Sequence, residues 1–173
     1  MISRKRRNES DRPEIRPEMQ PVDWLLEAIA LIGFLSFIGI VLYYFPKLPD
    51  MVPSHFNEWG APDNWENKSS VWSLLGITVF IYALLTFINF IPHRFNFPVR
   101  ITPQNALRQY TLAMRLIRYL KIVLVWMFFY IDLTTIRVTS KSAAGLGTWF
   151  LPVIIVLILL PLIIYSLLVW KKN

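Results

Sequence analysis

Four long apolar segments limit what this chain can fold into. They cover residues 24–45, 71–91, 117–136 and 149–170. A helix needs about 20 predominantly apolar residues to cross the hydrocarbon core of a bilayer, and each segment is about that long. The composition agrees, because 55% of the residues are apolar and only 17% are charged, against about 25% charged in average soluble domains. The sequence therefore predicts an all-α integral membrane protein with four transmembrane helices.

The basic residues alternate along the chain and predict an orientation. Six Lys and Arg precede the first span, two lie in loop 46–70, six lie between residues 92 and 121, two lie between the last two spans and two follow the fourth. Because Lys and Arg remain on the cytoplasmic side, both termini are expected to be cytoplasmic and loop 46–70 to be outside. The net charge of +7 then points to the membrane surface and not to nucleic acid.

These patterns divide the chain into two parts. Residues 1–22 are expected to form a disordered basic cytoplasmic arm, rich in arginine and proline. Residues 23–173 are expected to form the four-helix transmembrane domain. The chain has no cysteine, which excludes disulfides and thiolate metal sites.

The inner loop, 92–116, predicts a basic surface. Thr102 followed by Pro103 is typical of a helix start, and a helix from Pro103 can run unbroken into the third span. Helical spacing then gives it a basic face, which includes Arg108, Arg115 and Arg118. We expect this face to bind anionic inner-leaflet lipids, where each near-surface Lys or Arg contributes about 1 kcal/mol. A cytoplasmic regulator is the alternative partner.

Three polar residues interrupt the apolar segments. Glu27 lies one turn inside the first span, where it either pairs near the interface or has a buried functional role. Asn89 is expected to bond to a neighbouring helix. Asp132 lies about five residues from the outer end of the third span. Because buried acids need partners, we expect it to pair with Arg137, Lys47 or His55 and to orient the outer loop.

The outer loop, 46–70, is expected to be ordered. Pro46, Pro49, Pro53 and Pro62 exclude helix, and the residues around Gly60 are turn formers. Residues 52–57 and 64–67 are therefore predicted to pair as a short β-hairpin. Long ordered loops often have a function.

The same loop resembles a known family. Its pattern L-P-x-x-V-P-x-H-F-N-x-x-G-x-P-D-x-W-x-x-K, over residues 48–68, is similar to the bacterial membrane family called domain of unknown function 1648, which forms the N-terminal part of SdpI-type immunity proteins. The inner segment FNFPVRITPQNALRQY is similar to the corresponding segment of many members. The resemblance implies a multi-pass protein of the bacterial inner membrane. The matching positions are Pro49, Pro53, His55, Phe56, Asn57, Gly60, Asp63 and Lys68.

Two functions remain open from the sequence. The first is a non-enzymatic role in extracytoplasmic sensing, binding or immunity, with a peptide toxin as one possible ligand and with no cofactor. Its site residues would be the eight matching positions and Asp132, acting in ligand binding or in ordering the loop. The second is a metal-dependent membrane enzyme or transporter that uses His55, Asp63, Asp132 and Glu27. His55 and Asp63 are weak metal candidates, because zinc sites usually need three or four protein ligands.

Overall fold

The computed structural model describes residues 12–170 and is mostly helical. It contains four α-helices, one two-stranded antiparallel sheet and two single-turn 3₁₀ helices at Phe45–Lys47 and Pro92–Arg94. The larger elements are α1 (Pro21–Tyr44), β1 (Met51–Phe56), β2 (Pro62–Asn67), α2 (Ser70–Ile88), α3 (Ala106–Thr139) and α4 (Phe150–Trp170). The predicted hairpin between the first two helices is confirmed.

Three of the helical segments among residues 12–170 are long and apolar enough to cross a membrane: Pro21–Lys47, Ser70–Ile88 and Phe150–Trp170. Large apolar side chains on them are exposed, as in Leu35, which is 57% exposed. Exposure on this scale is typical of a lipid-facing surface, because soluble monomers rarely expose large continuous apolar areas. These segments indicate a membrane protein.

Local sequence sets the ends of α1. Pro21 occupies its first residue, where the missing N–H costs nothing because it would have no helical partner. The backbone N–H of Gln20 donates to the Asp23 carboxylate at 2.9 Å, which satisfies a donor beside the first turn. Pro46 follows the end of the helix at Tyr44 and disfavours its continuation.

Helix α3 is the central element of the bundle. Its 34 residues give a length of about 51 Å at 1.5 Å per residue, and it packs against each of the other three helices. It contains the third apolar segment, 117–136, together with buried polar side chains. These are Gln109, Arg118, Lys121, Asp132, Thr134 and Thr135.

The bundle has two distinct ends. The hairpin end comprises the hairpin and residues 140–149, and its apolar core joins Phe37, Val41, Val52 and Ile136. Val52 is fully buried, so the hairpin contributes a side chain to the helical core. Apolar burial of one such side chain stabilises by about 1.5–3 kcal/mol.

The arm end comprises residues 12–20 and loop 89–105. Every second residue from 97 to 101 of this loop is buried in an apolar cluster, which contains Phe97, Val99, Ile101, Tyr110 and Val169. The cluster joins the loop to α3 and α4.

Residues 12–20 lack regular secondary structure but contact loop 89–105. The Arg12 guanidinium donates to the carbonyls of His93 (3.3 Å) and Phe95 (2.7 Å). Residues 1–11 of the predicted arm, and 171–173, lie outside the described residues.

Candidate functional site

The hairpin is irregular at the strand positions that carry His55 and Asp63. Its register pairs Val52 with Glu66 and His55 with Asn64, with interruptions on both sides of His55. His55 Nδ1 lies 2.6 Å from Asp63 Oδ1. Because a carboxylate only accepts hydrogen bonds, the imidazole donates. Both side chains are exposed, at 65% and 42%, so their pairing contributes little to stability.

Asn57 forms the turn of the hairpin. Its side-chain Oδ1 accepts the backbone N–H groups of Trp59 and Ala61, each at 3.0 Å. Its backbone N–H donates to the Ala61 carbonyl at 2.9 Å, and its carbonyl accepts from Gly60 at 2.8 Å. One asparagine therefore makes four of the hydrogen bonds of the turn. Asparagine is favoured in turns because its side chain can bond to the backbone a few residues ahead.

Gly60 docks this turn against the loop before α4. Its carbonyl accepts the Leu146 N–H at 2.8 Å, and its φ of +75° is a conformation that glycine adopts without strain. A Cβ on Gly60 would lie 2.7 Å from the backbone N and O of Gly147, and one on Gly145 would collide with the Gly60 carbonyl oxygen. The absence of a Cβ at Gly60 and at Gly145 thus permits direct contact between the two backbones.

Lys68 closes the base of the hairpin. Its Nζ donates to the Leu48 carbonyl at 3.1 Å and lies 3.9 Å from the Asp50 carboxylate. Its backbone N–H donates to the Asp50 carbonyl at 2.9 Å. Pro49 is exposed beside this clamp, and neither Pro49 nor Lys68 lines the cavity described next.

A cavity of about 840 Å³ lies between the hairpin and the ends of α2, α3 and α4. This volume falls in the usual range for small-molecule sites, about 300–1,000 Å³. Six of the residues that the sequence singled out in the outer loop line it, together with Asp132 from α3. The six are Pro53, His55, Phe56, Asn57, Gly60 and Asp63.

Asp132 contributes a buried carboxyl group to this cavity. The residue is 2% exposed, and its Oδ2 has no hydrogen-bond partner. The expected pairing with Arg137, Lys47 or His55 is not formed within residues 12–170. His55 instead pairs with Asp63. Helix α3 contacts the hairpin through a different residue, Thr135, whose hydroxyl donates to the Pro53 carbonyl at 3.5 Å.

Sequence reasoning missed two further kinds of lining group. Glu58 and Glu66 add carboxylates, and Leu146 and Gly147 come from the connection before α4. The spacing of Gly145 and Gly147 in an otherwise apolar and small-residue segment was the available signal, since glycine pairs often mark close backbone approach.

The three arginines predicted to share one basic face contact different helices. Arg115 and Arg118 contact the Asp23 carboxylate of α1 at 3.0 and 3.1 Å. Arg108 donates to the Leu168 carbonyl at the end of α4, at 2.6 Å. Helical spacing places Arg115 and Arg118 on the same side of α3, but that side packs against α1.

Glu27 extends the same ion-pair network. It lies 3.2 Å from Arg118 Nε and 2.5 Å from Lys121 Nζ, and Lys121 also donates to the Thr86 hydroxyl at 3.0 Å. The Arg118 and Lys121 side chains are 4% and 0% exposed. The sequence left open whether Glu27 forms an ion pair or has a buried functional role, and its contacts with Arg118 and Lys121 support the ion pair.

A smaller cavity of about 400 Å³ adjoins this network and includes Glu27, Arg118 and Asn89 in its lining. Asn89 is 4% exposed, yet neither atom of its amide has a hydrogen-bond partner. The expected bond from Asn89 to a neighbouring helix is therefore absent from the described part of the chain.

No cluster of three or more His, Asp or Glu side chains suited to a metal ion is found in residues 12–170. His55 and Asp63 supply two such groups, fewer than the three or four protein ligands of typical zinc sites.

Comparison with known proteins supports the resemblance noted above. Residues 31–79 match the family model described as "Domain of unknown function (DUF1648)". The match covers the second half of α1, the whole hairpin and the first half of α2. No curated protein and no solved structure matches the chain.

Proposed function

Because residues 31–79 carry the domain of unknown function 1648, we propose that the chain is a four-span bacterial inner-membrane protein that binds an extracytoplasmic ligand. The role is non-enzymatic: sensing, binding or immunity of the SdpI type. Both termini are cytoplasmic, and the hairpin end faces outward. The observation that carries the proposal is the cavity of about 840 Å³ beneath the hairpin.

The course of α3 supports a fourth span. Arg115, in the N-terminal half of α3, pairs with Asp23 at the start of α1. At the other end of α3, the segment that connects it to α4 contacts the hairpin through Leu146. Helix α3 therefore joins the same two ends of the bundle as α1 and α2. Its length of about 51 Å exceeds the hydrocarbon thickness of about 30 Å, so its first turns extend beyond the core.

The construction of the hairpin supports ligand binding over a linker role. Three contacts hold different parts of the hairpin. Asn57 orders the turn, Lys68 closes the base, and the Gly60–Leu146 hydrogen bond joins the tip to the loop before α4. A rigid rim around a cavity reduces the ordering cost of binding. The metal-dependent alternative has no comparable support within residues 12–170, where the two candidate ligands bond to each other.

Single-cysteine labelling tests orientation and access together, because the natural chain has no cysteine to give background. Ser73 is exposed and lines the cavity. In intact cells, Ser73→Cys should react with a membrane-impermeant, anionic methanethiosulfonate. Asn96→Cys, exposed at the arm end, should react only after the cells are opened. The reverse pattern would overturn the proposed orientation, and an unreactive Ser73→Cys would contradict an externally open cavity.

A further inference from the structure

The cavity beneath the hairpin is acidic in a basic protein. The chain carries 18 Lys and Arg against 11 Asp and Glu. Among the described residues that line the cavity, however, the acidic side chains are Glu58, Asp63, Glu66 and Asp132, and there is no Lys or Arg. Clefts lined by one sign of charge between low-dielectric walls attract ligands of the opposite sign.

Asp132 distinguishes this cavity from an ordinary acidic surface. Its side chain is buried and its Oδ2 lacks a partner. Burial of a carboxyl group without a compensating bond is unfavourable, so such a group within a membrane-spanning helix is expected to meet a partner. The described protein supplies none at Oδ2, and a ligand in the cavity can.

The walls around this acid are largely apolar. Leu74 and Ile77 come from α2, Ile131 from α3, and Phe150 and Leu151 from α4. A small inorganic cation would leave these walls unused, and it would also lack a cluster of three carboxylate or imidazole ligands within residues 12–170. The combination suits a ligand with one charged head and an apolar body.

We propose that this cavity binds a cationic amphiphile, whose ammonium or guanidinium group pairs with Asp132 and whose apolar part packs against Leu74, Ile77 and Leu151. The inference rests on the proposed function, since it requires a cavity that is open to the outside. Glu58 and Glu66 attract the cation at the exposed rim, and Asp132 receives it inside. Asp63 at the same rim already accepts a hydrogen bond from His55.

The first experiment measures the charge at the cavity. Ser73→Cys is treated with two methanethiosulfonates of similar size, one bearing a trimethylammonium group and one a sulfonate. Each rate is divided by that of Ala144→Cys, an exposed position outside the cavity. We expect the cationic reagent to be favoured at Ser73→Cys, and Asp132→Asn to reduce that preference about tenfold, the order expected for removal of one nearby charge in a partly buried site.

The second experiment measures ligand class in purified protein reconstituted in nanodiscs. Octylammonium should slow the reaction of Ser73→Cys with neutral methyl methanethiosulfonate at least fivefold, whereas octanol should slow it much less. The added Asp132→Asn substitution should remove the difference, and Asp132→Glu should retain it. Thermal unfolding of each variant checks that it is folded.

The outcomes separate the two proposals. Equal protection by octylammonium and octanol, or charge-selective protection that survives Asp132→Asn in a folded variant, would overturn the cationic ligand while leaving the cavity accessible. Failure of external reagents to reach Ser73→Cys would overturn the proposed function itself. If Asp132→Asn does not fold, the comparison of octylammonium with octanol in Ser73→Cys with Asp132 intact still decides the ligand class.

Discussion

The Gly60 carbonyl accepts a 2.8 Å hydrogen bond from the Leu146 N–H, which joins the tip of the hairpin to the loop before α4. The two residues are far apart in the chain, and glycines at 60 and 145 allow the backbones to approach. This contact closes one side of the cavity that lies over Asp132. The shape of the candidate site therefore depends on a backbone contact as well as on its side chains.

Gly60→Ala should release the hairpin from this loop. The positive φ of Gly60 costs a residue with a Cβ about 1–2 kcal/mol, and the new methyl group would also overlap Gly147. We expect a lower thermal midpoint in detergent and faster modification of Ser73→Cys. Gly76→Ala is the matched control, because a Cβ there meets nothing within 4 Å. Equal behaviour of the two variants would contradict the proposed contact.

Asn57 should matter more for hairpin order than the His55–Asp63 pair. Asn57→Ala removes an acceptor from two backbone N–H groups, at about 1 kcal/mol per lost bond. Asp63→Asn removes the negative charge from an exposed pair that contributes at most about 1 kcal/mol. Amide hydrogen exchange of residues 51–67 should therefore accelerate more in Asn57→Ala. A larger effect of Asp63→Asn would assign the pair a structural role that its exposure does not suggest.

Much of the fold follows from local sequence. The apolar segments match α1, α2 and α4 closely, and the proline and turn residues of 46–70 predict the hairpin within a few residues of β1 and β2. Such features depend on neighbours in the chain, through helix length, proline geometry and turn chemistry. The residues around Asn57 belong to this class.

The cavity and the ion-pair network depend instead on distant contacts. Helical spacing shows that Arg115 and Arg118 lie on one side of α3, but not that Asp23 of α1 lies opposite. Likewise, the position of Asp132 in a predicted span indicates that it needs a partner, whereas its surroundings depend on the packing of the hairpin, α2 and α4 around it. The helical periodicity of the sequence shows which side of a helix a residue lies on, but it does not show which residue of another helix packs against that side.

Gly33 should be required for the packing of α1 on α3. A Cβ on Gly33 would lie 2.8 Å from the Trp126 ring, whose Nε1 donates to the Ile29 carbonyl at 3.3 Å. Small residues allow this kind of close approach between membrane helices. Gly33→Ala should destabilise by about 1–3 kcal/mol through overpacking, as measured by thermal unfolding. Gly39→Ala, with open space at its Cβ, is the control, and Trp126→Leu should rescue Gly33→Ala if the clash is the cause.

The Glu27–Lys121 pair should show strong coupling between α1 and α3. Lys121 is fully buried, so Glu27→Gln leaves a buried ammonium without its carboxylate, a change that typically costs about 3–5 kcal/mol. Lys121→Met removes the cation while Arg118 continues to pair with Glu27, and should cost less. The double variant should be more stable than the sum of the two losses predicts, by about 0.5–3 kcal/mol.

Thermal unfolding of the four proteins in one detergent measures this coupling, and Arg100→Gln, exposed on the loop before α3, controls for the loss of a surface charge. Strict additivity would show that Glu27 and Lys121 act independently. In that case this pair would not be what holds α1 against α3, and the contacts of Asp23 with Arg115 and Arg118 would remain.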